Sequence, residues 1–144
     1  MISFRFLLCV LFLSLFTSRG QDMRLIEYLE AKEFYKDFLS IHSNFHQTEH
    51  HSLHYLKWGK DTDPAILWLH GSYSNAIEIE PFASDLLNAN FQVLSVDYYG
   101  HGLTQALHYQ CSLETLLDGI SSLLNDLKID KVIIGGFSRG GYIA

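Results

Sequence analysis

The stretch that most restricts how this chain can fold is Lys131 to Ala144, reading K-V-I-I-G-G-F-S-R-G-G-Y-I-A. Val132, Ile133 and Ile134 are all β-branched, as the residues of a buried parallel strand tend to be, and the run ends in Gly135 and Gly136. Gly136-Phe137-Ser138-Arg139-Gly140 then has the spacing G-x-S-x-G, which turns a strand sharply into a helix and leaves a serine at the apex. An apical serine occupies a strained backbone region where neighbouring Cβ atoms would collide with strand or helix. Gly136 and Gly140 are therefore expected there for their lack of a side chain. The turn would lift the Ser138 hydroxyl out of the core. The free N–H groups of the following helix would face the spot where an oxyanion develops. Ser138 is the candidate nucleophile. The same residues also fit a strand-to-helix loop in which Ser138 merely caps the helix, and the order of the surrounding elements separates the two.

Composition narrows the surroundings. The 144 residues are 48% hydrophobic with only 2 Pro, which suits one globular domain and excludes a disordered or low-complexity chain. Formal net charge is -6, from 16 acidic against 10 basic residues, and no run of Lys or Arg could track a phosphate backbone. Nucleic acid is excluded as a partner. Gly135 to Gly141 is not a nucleotide-phosphate loop either, because Gly140 is followed by Gly141 and Tyr142 instead of Lys and a hydroxyl residue. The two cysteines, Cys9 and Cys111, do not form a useful pair, since Cys9 lies in a segment expected to be removed. Cys111 reads as a small apolar residue.

Met1 to Gly20 carries one early charge at Arg5, an apolar run from Phe6 to Phe16, and then small polar residues. This is the pattern of a secretory signal peptide over residues 1–20, cleaved before Gln21. The apolar run is well short of the ~20 residues that cross a bilayer, so no stable membrane span is expected in the mature chain. Residues 21–45 are expected to form an amphipathic helix and a connector. Leu25, Ile26, Leu29, Phe34, Phe38 and Leu39 recur at helical spacing between Met23 and Leu39. Residues 46–144 hold the main domain.

His42, His46, His50, His51 and His54 form a histidine-rich patch, with a four-residue spacing that would suit metal ligation on a helix. Ser52 to Trp58, however, alternates in the manner of a strand, where four-apart residues lie too far apart to share an ion at ~3.3 Å per residue. These are read as solvated strand and turn histidines, with no metal site. Asp61 to Pro64 is a turn, and Ala65 to Leu69 is a buried strand running into His70-Gly71-Ser72-Tyr73. Asn75 to Leu87 is helical in pattern. Phe91 to Val96 is a third strand, ending in Asp97-Tyr98-Tyr99-Gly100-His101-Gly102, and Ser112 caps a helix running through Leu127. Strand, helix, strand, helix, strand is the order of a parallel sheet with crossover helices.

In that order the motifs S-L-H-Y-L-K-W-G, I-L-W-L-H-G-S, V-D-Y-Y-G-H-G and G-F-S-R-G-G, spanning about Ser52 to Ala144, resemble the α/β-hydrolase superfamily. The likeness is to its branch of small esterases, lipases, epoxide hydrolases and C–C bond hydrolases. The resemblance implies a partial α/β-hydrolase fold, a mostly parallel sheet with flanking helices. It implies Ser138 as nucleophile, Gly136 and Gly140 as elbow glycines, and the backbone N–H groups of Arg139 and Ser72 as oxyanion donors, with Tyr73 a second candidate for the latter. Asp97, Gly100, His101 and Gly102 take structural roles, and His70 orders the oxyanion loop. No cofactor and no metal are implied, and the substrate is a small molecule. Arg139 departs from the apolar residue more usual in relatives. In this family the catalytic acid and histidine follow the nucleophile in chain order. The resemblance therefore implies that the chain stops inside the elbow helix, without them, and is inactive as it stands. Two functions fit: an exported serine hydrolase acting on an ester or similar acyl substrate, and a non-catalytic ligand- or partner-binding protein on the same scaffold. An apical serine flanked by both glycines favours the first.

Overall fold

The structure, a computed structural model, describes residues 29–48, 51–106 and 112–144. The signal peptide, the start of the helix expected from Met23, His50 and both cysteines lie outside the described residues. The chain divides into two compact units, Met1–Ile41 and His42–Ala144. In the first, a helix over residues 29–42 (α1) runs past the expected end at Leu39, with the Phe34 and Phe38 rings stacked one turn apart at 6.2 Å between centroids.

The second unit begins earlier than the histidine-patch reading suggests. Ser43–Gln47 is a strand (β1), paired antiparallel with His51–Trp58 (β2). Then follow Ala65–Leu69 (β3), a 3-10 turn at Ala76–Ile79 leading into helix Glu80–Asn88 (α2), Gln92–Val96 (β4) and the short Gln105–Ala106 (β5). Leu113–Asp126 (α3), Val132–Gly136 (β6) and Arg139–Ile143 (α4) complete it. The described strands make one mixed sheet in the order β1-β2-β4-β3-β6, with β5 beside β2. β3 runs parallel to both β4 and β6, whereas β2 is antiparallel to β1, β4 and β5. The fold is α/β, and its parallel half is the half that carries the elbow.

Every residue of β4 is buried, which explains why its sequence shows no polar alternation. β3 alternates, with Ala65, Leu67 and Leu69 inward. Leu53 and Tyr55 of β2, Leu67 and Leu69 of β3, and Leu94 and Val96 of β4 make one apolar face. Leu116, Ile120 and Leu123 of α3 close over it at helical spacing. Ser112 Oγ accepts the Thr115 N–H at 3.1 Å and starts α3 where the sequence expects it.

Two histidines of the patch, His46 and His54, are buried, against the expectation of solvated side chains. His54 is 2% exposed, and its Nδ1 meets Asp97 Oδ2 at 2.6 Å while Nε2 lies 2.8 Å from Ser43 Oγ. His46 is 7% exposed and is bonded to α3. A buried polar side chain needs a partner, and these partners lie on other elements, so the local strand pattern gave no sign of them. Asp97 is the hub. Its carboxylate also accepts the N–H groups of Ala76 (2.6 Å) and Leu103 (2.8 Å), and Thr104 Oγ1 bridges its carbonyl to the His54 N–H.

At the junction of β6 and α4 the backbones approach so closely that side chains are excluded. A Cβ on Gly140 would sit 1.8 Å from Leu69 O, and one on Gly136 would lie 2.5 Å from the Gly140 carbonyl carbon and 2.7 Å from Leu69 O. Nothing flexible is available to yield at either place. Gly135 differs, because its Cβ would meet only the Trp68 ring at 3.4 Å. Gly140→Ala should therefore lower stability by about 2 kcal/mol or more, and Gly135→Ala by well under about 1 kcal/mol, as read from urea midpoints.

The Asp97 network predicts acid sensitivity. Burial pushes the Asp97 pKa up, and hydrogen bonds from His54, Leu103 N–H and Ala76 N–H more than reverse this, leaving it below the ordinary carboxylate value. A carboxyl depressed by folding adds stability that is complete above its unfolded pKa, about 4, and that is lost as pH falls through the folded value. Unfolding free energy should fall between about pH 5 and pH 2. Asp97→Asn should cost about 3 kcal/mol at neutral pH and flatten that acid limb, measured by denaturant titration at each pH.

Candidate active site

In the parallel register Leu69 of β3 stands beside Val96 of β4 and Gly136 of β6. Three strands thus end level with one another, and the segments leaving them, 70–75, 97–104 and 137–138, emerge side by side. In open α/β sheets this carboxyl edge is where ligands bind.

Ser138 sits at the apex of the last of these segments with φ 51° and ψ −114°, and its side chain is exposed. A non-glycine residue in this region stores roughly 1–3 kcal/mol of backbone strain, and it is held there by its neighbours. Phe137 N–H donates to Leu69 O at 3.1 Å, and Gly140 N–H donates to Phe137 O at 2.8 Å. The Ser138 side chain makes no capping hydrogen bond, so the helix-cap alternative does not hold. Among the described residues its hydroxyl has no hydrogen-bond partner.

The segment opposite is held by three side chains. His70 is fully buried; its Nε2 accepts the Tyr98 N–H at 3.3 Å, so the ring proton belongs on Nδ1, which lies 2.6 Å from Gly71 O. Burial lowers the His70 pKa, more than the Gly71 carbonyl raises it, in keeping with a neutral ring. In a trans peptide the C=O and the next N–H point in opposite directions, and no peptide described is cis. By fixing the Gly71 carbonyl, His70 therefore turns the Ser72 N–H the other way. Glu78 holds the preceding peptide, accepting the Gly71 N–H at 3.1 Å with one oxygen and Trp68 Nε1–H at 3.0 Å with the other. His101 Nε2 reaches the Ser72 carbonyl at 2.8 Å. The sequence marks His70 through its place after β3. His101 takes the structural role expected of it, and Glu78 carries no local signal, because its bonds exist only once the turns meet.

A cleft of about 300 Å³ opens between the two segments, lined by Gly71, Ser72, Tyr73, Ser74, Glu78, Phe137 and Ser138. Gly71 leaves just enough room: a Cβ there would come within 3.2 Å of the Phe137 ring. Ser138 and Ser72 thus share one cleft, while the Tyr73 side chain stands fully out in solvent. The Arg139 side chain does not line the cleft; its guanidinium lies over the Tyr98 ring, 5.3 Å from the centroid. The Tyr98 phenol, pushed up to about 12 by burial, is a neutral group throughout the physiological range.

Residues 60–144 match the family described as serine aminopeptidase, S33. The chain is 29% identical over 79 residues to the AB hydrolase superfamily protein YisY of Bacillus subtilis, covering 55% of this chain and 30% of that protein. Among solved structures it is similar to the thioesterase domain from the curacin biosynthetic pathway (TM-score 0.64, 23% identity, 71% of this chain and 37% of that one). It is also similar to a putative epoxide hydrolase from Klebsiella pneumoniae (TM-score 0.63, 18% identity, 70% of this chain and 35% of that one). The chain spans about a third of the length of these relatives. A level carboxyl edge, a strained turn after β6, an ordered loop after β3 and the family match agree: this chain belongs to the α/β hydrolases, in the serine aminopeptidase S33 family.

Proposed function

We propose that the whole protein is an exported serine hydrolase that cleaves an ester or similar acyl substrate through an acyl-enzyme on Ser138. The observation that carries this reading is the exposed Ser138 held at φ 51° between two glycines that admit no side chain. Such strain serves a nucleophile, whereas a binding surface has no use for it. In the reaction Ser138 Oγ attacks the acyl carbon and its proton passes to a histidine. The carbonyl oxygen gathers negative charge against the N–H groups of Ser72 and Arg139. The tetrahedral species collapses, the leaving group takes the proton, and water then repeats the sequence on the acyl-enzyme. By the family's chain order the histidine and its acid partner come after the nucleophile.

The neutral state of His70 suits this scheme, since its Nδ1–H holds the oxyanion loop and is not offered to substrate. With its charge resting on the Tyr98 ring, Arg139 contributes through its backbone N–H.

In the full-length protein Ser138→Ala should leave folding intact and lower kcat/KM for a p-nitrophenyl ester by about 10⁴-fold or more. Ser72→Ala, which keeps the backbone N–H, should cost less than about tenfold. A fluorophosphonate adduct mapped by peptide mass spectrometry belongs on Ser138; a folded protein that stays unlabelled there would favour a binding role instead. Export has its own measurement. N-terminal sequencing of secreted protein should begin at Gln21, and an intact Met1 on cytosolic protein would contradict it.

A further inference from the structure

A second array of a serine, a histidine and a carboxylate lies at the opposite end of the strand order from the elbow. His46 projects from β1 and is 7% exposed; its Nε2 is 2.9 Å from Ser122 Oγ, and its Nδ1 is 3.2 Å from Asp126 Oδ2. Ser122 and Asp126 are one turn apart on α3, so one face of the helix presents both to the same ring. The carboxylate can only accept, which places the ring proton on Nδ1 and leaves Nε2 as a lone-pair acceptor for the Ser122 hydroxyl. A serine whose O–H is aimed at an unprotonated imidazole nitrogen, itself oriented by a carboxylate, has the arrangement of an activated nucleophile. What it lacks is an oxyanion hole, since the N–H groups around Ser122 in the interior of α3 are committed to the helix ladder.

We propose that Ser122 is an acyl-acceptor site, modified once by activated acyl donors with His46 as general base and Asp126 as the group that orients His46. With p-nitrophenyl acetate as donor, Ser122 Oγ forms a bond to the acetyl carbon as its proton moves to His46 Nε2. The bond from that carbon to the phenolic oxygen breaks, and p-nitrophenolate leaves with the electron pair. His46 then returns the proton to solvent. The acetyl ester persists, because without oxyanion donors only a leaving group as good as p-nitrophenolate is displaced, and a serine alkoxide is a far poorer one. The same bonds also tie β1 to α3, so the test must distinguish a base from a clasp.

Full-length protein carrying Ser138→Ala, which removes acylation at the elbow, is incubated with p-nitrophenyl acetate, digested and mapped by mass spectrometry, with thermal unfolding followed in parallel. One acetyl group is expected, on Ser122, and Ser122→Ala should abolish it without loss of fold. His46→Gln keeps a hydrogen-bonding amide beside Ser122 but has no basic nitrogen. It should slow the reaction tenfold or more, general-base assistance being worth about 10²–10⁴ where fully expressed. Asp126→Asn, at a side chain 70% exposed, should slow it several-fold. No acetyl group on Ser122 in the folded protein, or an unchanged rate in folded His46→Gln, would overturn the proposal; if His46→Gln does not fold, an unchanged rate in Asp126→Asn does so. Either result leaves fluorophosphonate labelling of Ser138, and the hydrolase reading, untouched.

Discussion

The carbonyl of Leu69 closes β3, accepts the N–H of Phe137 across to the elbow, and occupies the space that a Cβ on Gly136 or Gly140 would need. Backbone packed on backbone leaves no side chain to absorb error, so the position of Ser138 follows from where β3 ends. The strain at Ser138 persists because several rigid contacts converge there; loosening any of them would let φ relax to an ordinary value and withdraw the hydroxyl.

The same economy governs the facing loop. Its peptides are oriented from behind by two side chains that are themselves held, His70 by Tyr98 N–H and Glu78 by Trp68 Nε1–H, while the Asp97 carboxylate accepts the Ala76 N–H further along. Asp97 lies under this arrangement as a buried carboxylate compensated from several directions, and Gly102, whose Cβ would overlap it, is the residue that lets the following turn wrap so closely. The loop after β3 thus rests on a polar foundation, whereas the elbow rests on backbone packed against Leu69. A change at β2 or β4 reaches the cleft through hydrogen bonds without touching its lining.

What could be read from the chain alone is what local chemistry dictates. β3 and β4 are short apolar runs that become buried strands, and the elbow glycines are required by sterics that a motif encodes directly. β6 is a strand as expected but not a buried one, because it ends the described strand order and leaves Ile133 and Ile134 exposed. β1 was not legible: S-N-F-H-Q lacks apolar alternation, and it becomes a strand because β2 offers it a ladder. The histidines illustrate the same limit. His46 and His54 read as surface residues beside polar neighbours, yet both are buried, because Ser122, Asp126 and Asp97 reach them from far along the chain. The length of α3 was legible from Ser112 and the leucine spacing. The 3-10 turn before α2 was not, since the Asp97 bond to Ala76 N–H is a tertiary event.

The pairing of Ala65–Leu69 with Val132–Gly136 has a consequence for how the molecule comes into being. These strands are distant in sequence, and closing so long a loop is an entropic cost met late and slowly. As the polypeptide emerges from synthesis, the segment bearing Ser72 is complete well before the one bearing Ser138, and it has nothing to face. The serine gains its strained conformation only when β6 docks against β3. Reactivity at the elbow is thereby tied to completion of the fold, so a half-folded chain presents an ordinary, unstrained hydroxyl.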